Sequence, residues 1–398
     1  MRIGKTIYLD HQATTPVDRR VLAEMTPYFA DSFGNPHSSD HNLGWESARA
    51  VEVATGRLAR LIGADSDEIT FTSGATESNN LTLLGLGRRA GQVKRRRILV
   101  SAIEHKCVLA ASRALEEQCG LTVEQLPVDR EGFVIFPALE EALDSDVLAV
   151  SIMAVNNEIG TIQDIKRISE CVRSRGTIFH CDAAQAPLSL PVDSFARYTD
   201  MLSFSGHKMY GPKGIGIIFI ARGVKERIEP QIYGGGQQNG LRSGTLPVPL
   251  CAGMGAAAEM LSGVNAKEKR TMLRRRRDTF VEKLKELPWP ILVNGPGGEA
   301  RHSGNANIRF DGFSAHDILT MLQPHLAAST GSACTSGIPE PSHVLKAIGL
   351  DGNEAESSVR FSLGFGTSDE DIEEAVGLID GVLEKLSRLP RGIVQTKA

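Results

Sequence analysis

Lys208, which closes the run Ser205-Gly206-His207-Lys208, and Asp182, in His180-Cys181-Asp182-Ala183-Ala184-Gln185, carry the most chemistry of any residues in this chain. A lysine amine condenses with an aldehyde to a Schiff base, and a carboxylate beside a pyridine nitrogen keeps that ring protonated. Together they are what a protein contributes to pyridoxal phosphate chemistry. Each has a bland reading. A lone lysine is nearly always a surface charge, and an aspartate after a strand is often a helix N-cap. The groups around them reverse that balance. Lys213, in Gly211-Pro212-Lys213-Gly214, is the rival lysine, but its turn setting reads as a solvated surface charge.

The run Thr72-Ser73-Gly74-Ala75-Thr76-Glu77 leads from a strand into a helix. Backbone N–H groups and hydroxyls around Ala75 and Thr76 there make an anion site, although the same run is also an ordinary cap. Ser205, His207 and Thr245 could complete a phosphate cup. Gln185 and Asn157 could hold a ring hydroxyl, and His105 could stack on a ring or move protons near neutrality. Arg360 stands in the apolar run Ser358-Val359-Arg360-Phe361-Ser362, where an unpaired guanidinium is costly and a carboxylate is its best partner. Asn35, in Gly34-Asn35-Pro36, is either its helper or a plain turn. Cys334, set among small residues in Gly331-Ser332-Ala333-Cys334-Thr335-Ser336, suits a mobile nucleophile.

Positioning these groups falls to an alternation of strands and helices. Strand patterns at 68–72, 97–101, 147–152, 177–180, 201–204 and 214–220 are separated by helical periodicity at 77–88, 106–118 and 165–174. Such alternation predicts an α/β fold with a mostly parallel, helix-covered sheet, and ligands at the carboxyl ends of its strands. The candidates at 73–76, 105, 157, 182–185 and 205–208 all follow a strand. Further on, a charged helix at 266–287 precedes strands at 307–310 and 359–363 and helices at 315–322 and 369–386. We therefore expect a large domain at 15–261, and a smaller α+β domain from 1–14 and 262–398 that carries the Cys334 loop.

With 398 residues, 41% hydrophobic and 23% charged, the chain is that of a two-domain soluble protein. A formal net charge of −4 excludes a mainly nucleic-acid or membrane-surface role. No run reaches the ~18 apolar residues of a membrane span. The first residues lead straight into structured-looking chain, with no leader pattern. The run Arg274–Arg277 lies in a Lys/Arg/Glu-rich helix and reads as a solvated face. Six cysteines, at 107, 119, 171, 181, 251 and 334, show neither disulfide nor metal spacing. That predicts a reducing, cytoplasmic location, with Cys119, Cys171 and Cys251 as packing residues.

As a set, Tyr8-Leu9-Asp10 with Ala13-Thr14-Thr15-Pro16, Phe33-Gly34-Asn35-Pro36, Thr72 to Ser78, Glu104-His105-Lys106, Asn156-Asn157-Glu158-Ile159-Gly160, Ser205 to Lys208 and Arg242-Ser243-Gly244-Thr245 resemble the cysteine desulfurases. The likeness runs in order from about residue 7 to 385. It implies the fold-type I architecture of pyridoxal 5′-phosphate enzymes, with a mixed, mostly parallel seven-stranded sheet, and a homodimer. It also implies that Lys208 forms the Schiff base, Asp182 pairs with the ring nitrogen, His105 stacks, and Asn157 and Gln185 hold the ring oxygen. Ala75, Thr76, Ser205 and His207 would surround the phosphate, with Thr245 reaching in from the other subunit. Arg360 and Asn35 would hold the substrate carboxylate.

By the same likeness Cys334 would take sulfur from L-cysteine as a persulfide, leaving L-alanine, and pass it to an acceptor protein for iron–sulfur or other thio-cofactor assembly. Cys334 is also the single residue offered as a transient iron–sulfur ligand. The segment Ser336–Ser342 resembles the extended-loop branch of the family. Two departures stand out: Gln237-Gln238-Asn239 where charged residues are usual, and a short tail after Leu386, which leaves the acceptor open. A selenocysteine lyase shares most of this pattern but does not need Cys334. An ordinary aminotransferase has no use for the thiol. An inactive module of the same fold would have lost Lys208, Asp182 or Cys334.

Overall fold

The computed structural model describes residues 1–92, 94–331 and 342–389. The strands among the described residues are β1 (Arg2–Ile3), β2 (Thr6–Tyr8), β3 (Ile69–Thr72), β4 (Arg97–Ser101), β5 (Thr122–Leu126), β6 (Val147–Ser151), β7 (Ile178–Asp182), β8 (Met201–Ser205), β9 (Gly216–Ile220), β10 (Ile291–Val293), β11 (Asn305–Phe310), β12 (Leu326–Ala327) and β13 (Ser358–Ser362).

Seven of them form the main sheet, in the order β3-β9-β8-β7-β6-β4-β5. The pairs from β8 to β5 are parallel, and β9 runs antiparallel to both β8 and β3. The fold is thus the mixed, mostly parallel α/β sheet expected. Strands β6 to β9 are buried at every residue, as sheets covered by helices on both faces must be. Edge strand β5 is largely exposed and carries Glu124, a charge that blunts pairing with another chain. Its alternation is too polar to have signalled a strand, and our reading missed it.

The helices Ala75–Arg89, Lys106–Cys119 and Ile165–Arg173 cross between parallel strands, within two residues of where periodicity placed them. Two further helices, Asn42–Ile62 and Val248–Met260, were not read. The second is rich in Ala and Gly, with no polar face to set a period. A Cβ on Gly253 would lie 2.6 Å from the Met25 side chain, and one on Gly255 2.6 Å from Ala54 Cα, so these glycines let the elements nest.

A second apolar core is built on the antiparallel sheet β10-β11-β13 and the helices Val264–Lys285, Ala315–Met321 and Asp369–Ser387. Phe361 packs edge-on to both Phe280 and Phe310 at its centre. Ile7 and Leu9 join this core from the other end of the sequence, because β2 pairs in parallel with β12. Val344, Leu345, Ile348 and Ala355 pack instead in the first core. We propose the two cores as two domains, with the helices His343–Ala347 and Gly352–Glu356 lapping onto the large one.

One expectation fails at the last residue of its run. Arg275 is exposed and Arg274 and Arg276 are half-buried, but Arg277 is 2% exposed. It shares an inward stripe with Leu273, Phe280 and Leu284, at the 3.6-residue period of the helix. Burial is tolerated because its guanidinium donates to the carbonyls of His302 and Gly298 and pairs with Asp278.

Candidate active site

A cleft of about 690 Å³ opens at the carboxyl ends of the parallel strands, within the range of small-molecule sites. Lys208 sits at its floor. It ends a 3₁₀ turn, Gly206–Lys208, that directly follows β8. Gly206 makes the turn fit, since a Cβ there would meet Pro212 O at 2.7 Å. The Lys208 Nζ donates to the carbonyls of Gln12 (2.6 Å) and Ala13 (2.7 Å). Burial, reinforced by the positive charge of Arg360, lowers its pKa from 10.5 to about 8. The amine is thus aimed, and substantially neutral just above neutrality.

Asp182 ends β7 and is buried in the same cleft. Its Oδ2 accepts from Asn79 Nδ2 at 2.7 Å and its Oδ1 from Ala184 N at 3.0 Å. No helix follows, so the second bond closes a tight turn rather than a cap, and both oxygens are fixed. His105 caps the helix Lys106–Cys119, its Nδ1 accepting from Cys107 N at 3.2 Å. Burial lowers its pKa below 6.5, helped by the positive charges of Lys208, His343 and Lys106 and opposed by Asp182. The neighbouring Cys107 thiol lies 3.0 Å from the same nitrogen, and burial pushes its pKa up to about 12. It stays protonated and makes a poor nucleophile.

The phosphate candidates gather at one end. The helix Ala75–Arg89 starts at Gly74, whose φ of +153° favours glycine, and no side chain caps it. Its first N–H groups therefore remain donors to an anion. Ala75, Thr76, Ser205 and His207 all line the cleft beside it. His207 Nδ1 lies 3.1 Å from Thr14 Oγ1, and burial, with Lys208 and Lys213, lowers its pKa to about 4. A neutral ring there is a hydrogen-bonding group rather than a charge. Lys213 was read as a plain surface lysine; it is exposed, but it stands on the cleft wall.

Across the cleft, Arg360 is 4% exposed. Its guanidinium donates to Asp10 Oδ1 (2.7 Å), Ser329 Oγ (2.8 Å) and the Asn157 carbonyl (2.8 Å), and its Nε is buried without a partner among the described residues. Gln185 Nε2 donates to the Gln12 carbonyl at 3.0 Å. Asn157 also lines the cleft. Two candidates are not brought in. Asn35 is exposed in a turn, its Oδ1 accepting from His37 N at 3.0 Å, and Thr245 is exposed outside the lining. Cys334 lies outside the described residues. Among the described residues no cluster of three or more His, Cys, Asp or Glu could hold a metal ion. No described helix is long and apolar enough to cross a membrane.

Sequence reasoning missed Asn79, Gln12 and Ser329. Asn79 had a weak signal, two adjacent asparagines inside a helical run where asparagine is a poor former. Gln12 serves Lys208 through a backbone carbonyl, which no residue type announces.

These donors fit pyridoxal phosphate: an aimed lysine of depressed pKa, a fixed carboxylate, and an uncapped helix start with small polar neighbours. Comparisons with known proteins agree with that geometry. The aminotransferase class-V family model matches residues 7–375. Cysteine desulfurase IscS of Rickettsia akari (strain Hartford) is 44% identical over 383 residues, covering 96% of this chain and 92% of the relative. The same-named protein of Rickettsia prowazekii (strain Madrid E) is 44% identical over 384 residues, with the same coverage. A solved NifS-like protein superposes with a TM-score of 0.88 at 34% identity, covering 96% of this chain and 100% of its own. A structure described as SspA in complex with cysteine gives 0.78 at 36% identity, covering 90% and 99%. With a family match over nearly its whole length and relatives well above 30% identity, this chain belongs to the class-V aminotransferases.

Proposed function

We propose that this protein is a pyridoxal phosphate-dependent cysteine desulfurase, converting L-cysteine to L-alanine and holding the sulfur on Cys334. The observation that carries the reading is the aimed, pKa-lowered Lys208 facing a fixed Asp182 in one cleft, in a chain 44% identical to named cysteine desulfurases.

Lys208 would hold the cofactor, with Asp182 at the ring nitrogen, His105 over the ring, Gln185 and Asn157 at the ring oxygen, and Ala75, Thr76, Ser205 and His207 around the phosphate. When bound, pyridoxal phosphate supplies an electron sink that acidifies the substrate Cα–H and loosens the bond to sulfur. The chain's own residues do the rest. Arg360 presents its guanidinium to the substrate carboxylate, exchanging part of its contact with Asp10. Lys208, freed from the carbonyls of Gln12 and Ala13, is the base for the Cα proton and returns a proton to carbon. His105, neutral through burial, would take the proton of the Cys334 thiol. The Cys334 thiolate attacks the substrate sulfur. The substrate Cβ–S bond breaks, an S–S bond to Cys334 forms, and L-cysteine plus the thiol become L-alanine plus the Cys334 persulfide without an external oxidant.

A homodimer in which Thr245 completes the partner's phosphate site accounts for that residue's exposure. The substrate role of Asn35 belongs to the same assembly. The persulfide would pass to an acceptor protein serving iron–sulfur or other thio-cofactor assembly in the cytoplasm. The test is alanine and sulfide production from L-cysteine, with and without reductant, in wild type and Cys334→Ser. The variant should lose alanine formation and keep the cofactor's yellow colour. Undiminished alanine formation would remove Cys334 from the mechanism and make selenocysteine the next substrate to try.

A further inference from the structure

Gln12 is 2% exposed and belongs to the cleft lining, yet its side-chain Nε2 has no hydrogen-bond partner among the described residues. An unpaired buried amide N–H₂ is costly, so its orientation needs a cause. The cause lies two residues away in a buried relay. Arg301 is a donor only, and its Nη1 donates to Asn305 Oδ1 at 2.7 Å. That fixes which end of the Asn305 amide is nitrogen. Its Nδ2 donates in turn to the Glu158 carbonyl, an obligate acceptor, at 2.9 Å and to Gln12 Oε1 at 2.6 Å. Gln12 therefore cannot flip: its oxygen is committed, and the N–H₂ end is left over.

The leftover donor has a counterpart. Arg360 Nε is also buried and, among the described residues, unpartnered. Both side chains are tethered to the same turn, Arg360 through the Asn157 carbonyl and Gln12 through Asn305, which bonds to Glu158 O. Gln12 is also docked on the strand that carries Arg360, its backbone N donating to Ser362 Oγ at 2.9 Å. Two unsatisfied donors beside one turn of the cleft ask for two acceptor oxygens on one ligand.

We propose that Gln12 Nε2 is a specificity-determining donor to the α-carboxylate of the amino-acid substrate, acting alongside Arg360. This rests on the amino-acid reading above and extends it: the Arg301–Asn305–Gln12 relay selects ligands that carry a carboxylate over the corresponding amines.

The test uses holoenzyme with Gln12→Met, which keeps length but loses the donor, and Gln12→Glu, which turns it into an acceptor. L-cysteine and cysteamine, its carboxylate-free analogue, are titrated against the cofactor absorbance, with L-alanine as a non-reacting check. Turnover of L-cysteine gives KM and kcat. Gln12→Met should weaken both amino acids about tenfold, and Gln12→Glu more, with cysteamine affinity held within about twofold. The loss should fall on KM rather than kcat. Equal weakening of cysteine and cysteamine would overturn the proposal, because Gln12 would then act only through the Lys208 anchor. So would unchanged cysteine affinity. Folding of each variant is checked by its Tm, and the two replacements perturb packing in different ways. Binding does not require turnover. Absence of alanine formation in the wild type would count against the desulfurase reading, while the ratio of the two affinities still decides the role of Gln12.

Discussion

Burial and the nearby Arg360 charge set the Lys208 amine to titrate near 8, more than two units below its ordinary 10.5. A base with a lowered pKa is neutral above that value, and only the neutral amine attacks an aldehyde. Uptake of pyridoxal phosphate by the cofactor-free protein should therefore accelerate as pH rises from 6 and level off above about 8. Stopped-flow absorbance measures this; a rate still climbing steeply at pH 10 would return Lys208 to an ordinary lysine. Asn79 is the second lever at this scale. Its Nδ2 satisfies one oxygen of a buried carboxylate, and removing such a partner costs about 1.5–3 kcal/mol. Asn79→Ala should weaken pyridoxal phosphate binding roughly 10- to 100-fold. An unchanged dissociation constant would show that Ala184 N alone holds Asp182. Lys208, Asp182, His105 and Arg360 were legible because their chemistry is written in side-chain type. Asn79, Gln12 and Ser329 were not, since each acts by orienting another group.

Strand ends place the chemistry, and one strand does so by near-contact. Gly216 opens β9 so closely against the phosphate-side turn that an added Cβ would lie 2.5 Å from Phe204 O and 2.6 Å from Gly74 Cα. Both are backbone atoms, which cannot swing aside. Gly216→Ala should cost about 1–3 kcal/mol of stability and displace the Gly74 turn. The expected readout is a lower Tm together with faster loss of cofactor on dialysis. A normal Tm with full cofactor retention would mean the turn is more compliant than its geometry implies. The strands that carry the site were readable because each is a short run rich in apolar or β-branched residues that ends at polar or small turn residues. Edge strand β5 and the Ala/Gly helix Val248–Met260 were not, since one lacks apolar alternation and the other lacks a polar face. Arg277 misled for the opposite reason: its charge masked a position on the inward stripe.

For the molecule as a whole, acid sensitivity follows from its buried histidines. Burial lowers His11 to about 4, and His180 and His302 to about 3, from 6.5. The folded state thus binds fewer protons than the unfolded one between those values and 6.5. Stability is complete above about 6.5 and drains as pH falls toward 4, by up to about 1.4 kcal/mol per pH unit for each histidine. Calorimetry at constant ionic strength should show a clearly lower Tm at pH 5 than at pH 7. A flat profile over that interval would mean that these rings protonate in place. The change in element pattern after residue 262, where the long helix of the second core begins, was legible. The return of helices His343–Ala347 and Gly352–Glu356 to the first core was not, because short helices carry too few residues to declare a partner.

The partners of residues 7–12 carry a consequence for how the protein is made. Ile7 pairs with Leu326, Asp10 bonds to Arg360, and Gln12, whose carbonyl steadies Lys208, is docked on Ser362. Some 350 residues separate 10–12 from these partners at 360–362, and a ribosome must translate all of them before the partners emerge. The seven-stranded sheet can assemble meanwhile from neighbours, but Lys208 stays without its anchoring carbonyls in place. The nascent chain should therefore stay chemically silent until β13 has emerged, and a truncated product ending before β13 should fail to assemble the site.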